Sequence, residues 1–147
     1  LPFEDRYFDL IYAGSVFTHI EDLTDAWFLE LRRVLKPGGR LYFTINDRRA
    51  VEVFEGNRTP AEYETYVKRV GGQETWEAFV DNYLRANPEY QKFRRGEAFM
   101  ISIARGAASN VMWDLDVLSR RQSHVFHPLA AVAKAYGHQT GALWERA

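Results

Sequence analysis

Apolar residues along this 147-residue chain fall into short continuous runs and helical stripes. Phe8-Asp9-Leu10-Ile11-Tyr12-Ala13 is a nearly unbroken apolar run, the pattern of a parallel strand covered on both faces. Leu23, Trp27, Leu31, Val34 and Leu35 then recur at helical spacing and predict one buried stripe. Asp22 is the expected N-cap, Asp25 adds negative charge to the first turn, and Arg32, Arg33 and Lys36 sit at the negative end of the helix dipole. Pro37 cannot continue a helix, and Gly38 or Gly39 supplies a left-handed exit. Arg40-Leu41-Tyr42-Phe43-Thr44-Ile45 reads as a second strand. Strand, helix and strand within about forty residues form a βαβ unit, so the two strands are expected to be parallel.

Beyond Asp47 the pattern becomes helical and charged up to residue 96. Thr59-Pro60-Ala61-Glu62 combines a capping box with proline at the first helical position, and this helix is expected to end at Gly71-Gly72. A second helix carries Trp76, Phe79, Val80, Tyr83 and Leu84 and ends at Asn87-Pro88. Phe99, Ile101 and Ile103 alternate with Met100, Ser102 and Ala104, the period of a half-buried strand. Residues 105–110 read as a loop and Val111-Met112-Trp113 as a short strand. Asp114-Leu115-Asp116 can open a helix through about Ser123. Leu129–Ala133 and Thr140–Trp144 flank Tyr136-Gly137-His138 and predict a hairpin.

Composition narrows the function classes. A hydrophobic share of 46% and an aromatic share of 15% suit a folded globular chain. With 19 basic and 20 acidic residues, formal charge is −1, which offers no field for nucleic acid or an anionic membrane. There is no cysteine, so disulfides, thiolate metal sites and cysteine nucleophiles are excluded. Absence of cysteine fits a cytoplasmic location. No apolar run approaches the roughly 20 residues of a membrane-spanning helix.

Four blocks carry a resemblance: Leu1-Pro2-Phe3, Phe8-Asp9-Leu10-Ile11, His19-Ile20-Glu21-Asp22, and Leu31-Arg32-Arg33-Val34-Leu35-Lys36-Pro37-Gly38-Gly39-Arg40-Leu41. In this order and spacing they resemble the class I S-adenosylmethionine-dependent methyltransferases of the small-molecule type. The resemblance implies a Rossmann-like α/β fold with sheet order 3-2-1-4-5-7-6 and an antiparallel seventh strand, the ligand lying at the topological switch point. Residues 8–14 would be the fourth strand and 40–46 the fifth. The glycine-rich cofactor loop and the ribose-binding acidic residue would then lie upstream of Leu1, so the chain is expected to be the C-terminal part of a longer domain. Residues 1–47 would form its strand–helix–strand core, 48–113 an insertion or lid, and 114–147 the final helix and hairpin. The alternative for the insertion is a helical pair packed on the surface. The fourth strand would be an uncovered apolar edge, inviting self-association.

The same resemblance assigns candidate site residues. Ala13, Gly14 and Ser15 would line the methionine and methyl region of the cofactor, unless they are an ordinary strand-to-loop turn. Leu1, Pro2 and Phe3 would lie near the adenine, unless they merely fray. Methyl transfer is a direct displacement in which the cofactor carries the reactivity and the protein aligns the acceptor, sometimes removing a proton. His19 is the candidate base, with a structural role in orienting its loop as the alternative. Asn46 and Asp47 could face the acceptor or cap a helix. Trp113 belongs with Tyr63, Tyr66, Trp76, Tyr83 and Phe99 to an aromatic group that forms either an apolar acceptor pocket or core packing. His124 and His127 lack neighbouring ligands, and no metal site is assigned. Ser102, Ser109 and Ser123 have no sequence-adjacent partners for a hydrolase.

The expected function is S-adenosylmethionine-dependent methyl transfer to a small-molecule acceptor by the full-length parent, this stretch alone being inactive. The alternative is a non-catalytic relative binding a ligand or partner. A nicotinamide-dependent oxidoreductase would leave the four blocks unexplained. The sequence does not specify the acceptor or the oligomeric state.

Overall fold

A computed structural model describes residues 1–55, 80–103 and 110–147. Its main sheet has four strands in the order β1-β2-β6-β5: β1 is Phe8–Ala13, β2 Leu35–Ile45, β5 Phe126–Tyr136 and β6 Gln139–Arg146. β1 and β2 are parallel, and α1, Thr24–Val34, makes the crossover between them. β6 runs antiparallel to both β2 and β5, so the last strand of the chain lies inside the sheet. The expected βαβ unit and terminal hairpin are both present, and the relative strand order is the one the resemblance implies.

The core lies between one sheet face and α1. Leu41, Phe43 and Ile45 are fully buried on β2, opposite Trp144, Ala142 and Thr140 of β6. Phe28 of α1 stacks on Phe17 at 4.5 Å and on Trp144 at 5.3 Å between centroids. It also meets Phe43 and Phe126 edge-on. On the other sheet face, Leu10, Tyr12 and Val132 are 59%, 66% and 60% exposed. Among the described residues β1 is an edge strand of this sheet.

Three local expectations are corrected. The buried stripe of α1 is Thr24, Phe28, Leu31 and Val34, continuing into Leu35, whereas Leu23 and Trp27 face solvent. The sequence spacing is one residue out of phase at the start, because the helix begins at Thr24 rather than after Asp22. Asp22 does not cap it. The N-cap is Leu23, in the left-handed region at φ 61 with no side-chain cap bond. A leucine there costs about 1–2 kcal/mol relative to its ordinary conformations, and its exposed side chain contributes little packing in return. Leu23→Gly is therefore expected to raise stability by about 1 kcal/mol, read as a higher denaturation midpoint at unchanged slope.

The third correction concerns Lys36-Pro37-Gly38-Gly39. The helix has already ended at Val34, and Leu35 is extended, buried and paired with Phe8. The next pair is Leu10 with Arg40, so the Pro-Gly-Gly stretch is looped out within β2. Gly38 holds φ +69, and a Cβ on Gly39 would sit 2.8 Å from the Lys36 carbonyl oxygen, so both glycines are required by that loop.

After β2, Asp47 caps α2, Arg48–Phe54. A π-helical turn at Val80–Arg85 precedes α3, Pro88–Arg95. Asn87-Pro88 thus follows one helical segment, as expected, and also starts another. The Asn87 side chain accepts from the Glu89 and Tyr90 amides, and the proline stands in the first turn. β3, Met100–Ile103, and β4, Asn110–Trp113, form a separate antiparallel pair. α4, Leu115–Arg121, follows its Asp114 cap. The capping box at Thr59–Glu62, the Gly71-Gly72 stop, Tyr63, Tyr66, Trp76, Phe79 and the 105–109 loop lie outside the described residues. Among those described, no helix is long and apolar enough to cross a membrane.

Candidate functional site at the carboxyl ends of β1 and β2

The parallel strands β1 and β2 deliver their carboxyl ends to one region, where β4 and the start of β6 join them. β1 passes through Ala13, which is buried, into Gly14 and Ser15, both half-buried. Ser15 has φ 56, and its amide donates to Thr44 Oγ1 at 2.7 Å. A Cβ built on Gly14 would lie 2.3 Å from the Tyr12 hydroxyl. The Tyr12 ring, stacked on Tyr42 at 5.4 Å, folds over the turn, so Gly14 is small because its neighbour's ring occupies that space.

The rest of the loop is anchored rather than free. Phe17 and Thr18 are each 1% exposed, and the Thr18 carbonyl accepts from the Val111 amide of β4 at 2.8 Å. His19 is exposed beyond them, and its amide donates to the Val16 carbonyl at 3.0 Å.

At the end of β2, Asn46 and Asp47 are almost fully buried. Asn46 bridges to Met112, and its carbonyl accepts from the Trp113 amide at 2.7 Å. Its Nδ2 donates to Asn110 Oδ1 at 2.6 Å, while its Oδ1 is buried with no hydrogen-bond partner among the described residues. Trp113 Nε1 is in the same condition. A buried donor and a buried acceptor left unpaired are uncommon in native structures and call for an explanation. Asp47 is fully committed. Its Oδ1 accepts from the Arg49 amide at 3.0 Å and from Thr140 Oγ1 at 2.8 Å, and its Oδ2 pairs with Arg49 Nη1 at 2.8 Å. The helix-cap alternative for Asp47 is therefore what the structure contains.

Leu1, Pro2 and Phe3 are not part of this region. Phe3 packs edge-on against Phe8 at 4.8 Å, and its carbonyl accepts from Arg33 at the end of α1. They flank the beginning of β1, and a six-residue strand separates its ends by roughly 17 Å. Trp113 is 2% exposed within the main core cluster and approaches Phe99 at 6.4 Å, so for this residue core packing holds.

Beside the region runs a cleft of about 210 Å³ lined by Asp47, Arg48, Arg49, Asp114, Leu115 and Asp116. Ligand pockets generally measure about 300–1,000 Å³ and are mostly apolar. This cleft is smaller, and four of its five charges are paired with one another: Arg48 Nε meets Asp114 Oδ2 at 2.7 Å, and Arg49 meets Asp47. It is a charged crease rather than an acceptor pocket. Burial raises the Asp114 carboxyl, but the Val117 amide and the Arg48 guanidinium outweigh it and hold the group below its ordinary value.

Sequence reasoning missed Thr44, Gln139 and Thr140, the polar residues that tie these strand ends together. Polar positions within otherwise apolar strands were the available signal, since a buried polar side chain needs a partner.

Residues 1–43 match the family model described as a methyltransferase domain. Among solved structures, the chain is similar to the PH0226 protein from Pyrococcus horikoshii OT3, with TM-score 0.57 and 17% identity over 100% of this chain and 55% of that one. It is also similar to a SAM-dependent methyltransferase from Methanosarcina mazei, with TM-score 0.56 and 13% identity over 99% and 62%. This is the fold of the class I S-adenosylmethionine-dependent methyltransferases. The chain spans little more than half the length of these two structures.

Proposed function

We propose that the full-length protein containing this chain transfers a methyl group from S-adenosylmethionine to a small-molecule acceptor. The observation that carries the reading is the coincidence of the family pattern in residues 1–43 with a small-residue turn, Ala13-Gly14-Ser15, at the carboxyl end of a parallel strand pair. Ligands of open α/β sheets lie at that end of the strands. Ala13, Gly14 and Ser15 fit the donor in that their own side chains are small, leaving the backbone and the Tyr12 phenol to form the wall. Leu1, Pro2 and Phe3, which the resemblance would set near the adenine, flank the start of β1 and are left out of this reading.

The bound donor supplies an electrophilic methyl on its sulfonium. Asn46 and Trp113 lie buried behind the end of β2 and would support the wall of the site rather than touch the acceptor. His19, exposed in the loop after β1, would take a proton where the acceptor is a hydroxyl or amine. Asp47 would act on the site only through the start of α2.

Calorimetry with S-adenosylmethionine tests the reading. The full-length protein is expected to bind it, and the 147-residue chain to bind it far more weakly. A full-length protein with no affinity would overturn the proposal in favour of a non-catalytic relative. Low-micromolar binding by the 147-residue chain would overturn the view that this part is inactive alone.

A further inference from the structure

β6 opens on Gln139, a buried carboxamide that closes a ring of hydrogen bonds around the turn after β1. The Ser15 amide donates to Thr44 Oγ1 at 2.7 Å. The Thr44 hydroxyl, its oxygen so engaged, donates its own proton to Gln139 Oε1. Gln139 Nε2 donates to Ser15 Oγ at 3.0 Å, closing the ring on the residue where it began. The Ser15 and Thr18 hydroxyls lie 3.3 Å apart and extend the ring into the loop. The Gln139 carboxamide thus reaches the turn after β1 directly through Nε2 and by way of Thr44 on β2 through Oε1. Thr140 beside it points the other way, to Asp47.

The ring holds something that would not hold itself. Ser15 is a non-glycine residue at φ 56, a region that L-residues avoid and keep only when their surroundings over-determine it. Apolar side chains at Thr44 and Gln139 could still pack against the strands, but the Ser15 amide and hydroxyl would lose the partners that hold the turn. A fully satisfied buried network specifies one geometry, and here the geometry specified is that of the Ala13–Ser15 turn.

We propose that Gln139 is a positioning residue for the methyl donor, fixing the Ala13-Gly14-Ser15 turn through Thr44 and Ser15 in the conformation that receives it. The inference rests on the methyl-transfer reading above. Binding residues must be held to within about 0.5 Å of the productive geometry, and a buried ring on rigid strands provides such support.

The test uses the full-length protein with Gln139→Leu, Gln139→Glu, Ser15→Ala and the double variant Ser15→Ala/Gln139→Leu. S-adenosylmethionine binding by the unsubstituted protein is measured first. Its absence overturns the methyl-transfer reading, and this inference with it. Given binding, Gln139→Leu should raise donor KM about tenfold, while kcat at saturating donor and acceptor KM stay within about twofold. Gln139→Glu still accepts from Thr44 but donates nothing to Ser15, so it should fall between, and it remains informative if the leucine variant fails to fold. The double variant should be no worse than Gln139→Leu, because both remove the same link. A folded Gln139→Leu or Gln139→Glu protein with unchanged donor KM overturns the inference while leaving methyl transfer intact. So does strict additivity of Ser15→Ala with Gln139→Leu.

Discussion

Phe28→Ala is expected to destabilise the chain by about 3–5 kcal/mol, which for a domain of ordinary stability leaves little of the native state. Phe28 is fully buried and touches four other aromatic rings: Phe17, Phe43, Phe126 and Trp144. Those rings come from the loop after β1 and from β2, β5 and β6, so the cavity would open where every part of the main sheet meets α1. Phe43, Phe126 and Trp144 cannot collapse into it without leaving their strands, and Phe17 sits in a loop anchored on β4 through the Thr18 carbonyl. The neighbouring substitution Trp27→Ala removes a larger side chain but should cost only about 1 kcal/mol, because Trp27 is already 37% exposed. Chemical denaturation of the two variants separates the stripes. Equal losses, or a larger loss at Trp27, would mean that α1 presents the face suggested by the sequence spacing.

Arg48→Ala is expected to cost about 2–3 kcal/mol, through three separate attachments made by one guanidinium. Nε pairs with Asp114 at the cap of α4. Nη1 donates to the Phe93 carbonyl at the end of α3, and Nη2 to the Ala98 carbonyl ahead of β3 at 3.3 Å. The same group lies 4.7 Å over the Phe93 ring. Arg48 is about a third exposed, so the charge pair itself is partly screened and the carbonyl bonds carry much of the effect. Arg48→Lys keeps the charge but not the fork, and should recover only part of the loss.

The variant should also change the response to acid. The folded-state pKa of Asp114 is depressed, so its contribution is fully present above its unfolded pKa and is lost as pH falls through the folded value. That window lies below about pH 4. Removing Arg48 raises the folded pKa toward the unfolded one, although the Val117 amide still favours the carboxylate. The stability difference between wild type and Arg48→Ala should therefore be larger at pH 7 than at pH 3. Denaturation at the two pH values checks this, and a difference that grows on acidification would contradict it.

The candidate site was only partly legible in the sequence. Ala13, Gly14 and Ser15 could be placed at the end of a strand because a continuous apolar run followed by small residues has few other readings. That Ser15 would be left-handed, and that Gly14 would lie beneath the Tyr12 ring, depends on Thr44, Tyr42 and Gln139, which are distant along the chain. Asn46 was legible as a candidate from its position after a strand, and Trp113 as one of a group of aromatic residues. Their shared burial and their unpaired atoms arise from the docking of β4 on the end of β2. Leu1–Phe3 shows the converse. A motif contiguous with the strand was assigned to the ligand, yet it packs around Phe8 and Arg33 at the other end of β1.

By itself, the sequence determined the local elements. These are two strands with a helix between them, a helix opening at Asp114–Asp116, and the hairpin across Gly137. All follow from alternation, helical period and the stereochemistry of proline and glycine, which act over a few residues. The tertiary structure decided the rest. It set the buried face of α1, where Phe28 rather than Trp27 meets the core rings, and it ended the helix at Val34, where Leu35 becomes the buried extended partner of Phe8. It turned Lys-Pro-Gly-Gly from a helix stop into a loop within β2. It also carried Gln139 to the turn after β1, a pairing fixed by placing the last strand inside the sheet. Local preferences differ by a kcal/mol or less per residue, whereas burial of a large side chain is worth about 1.5–3 kcal/mol, so packing prevails where the two disagree.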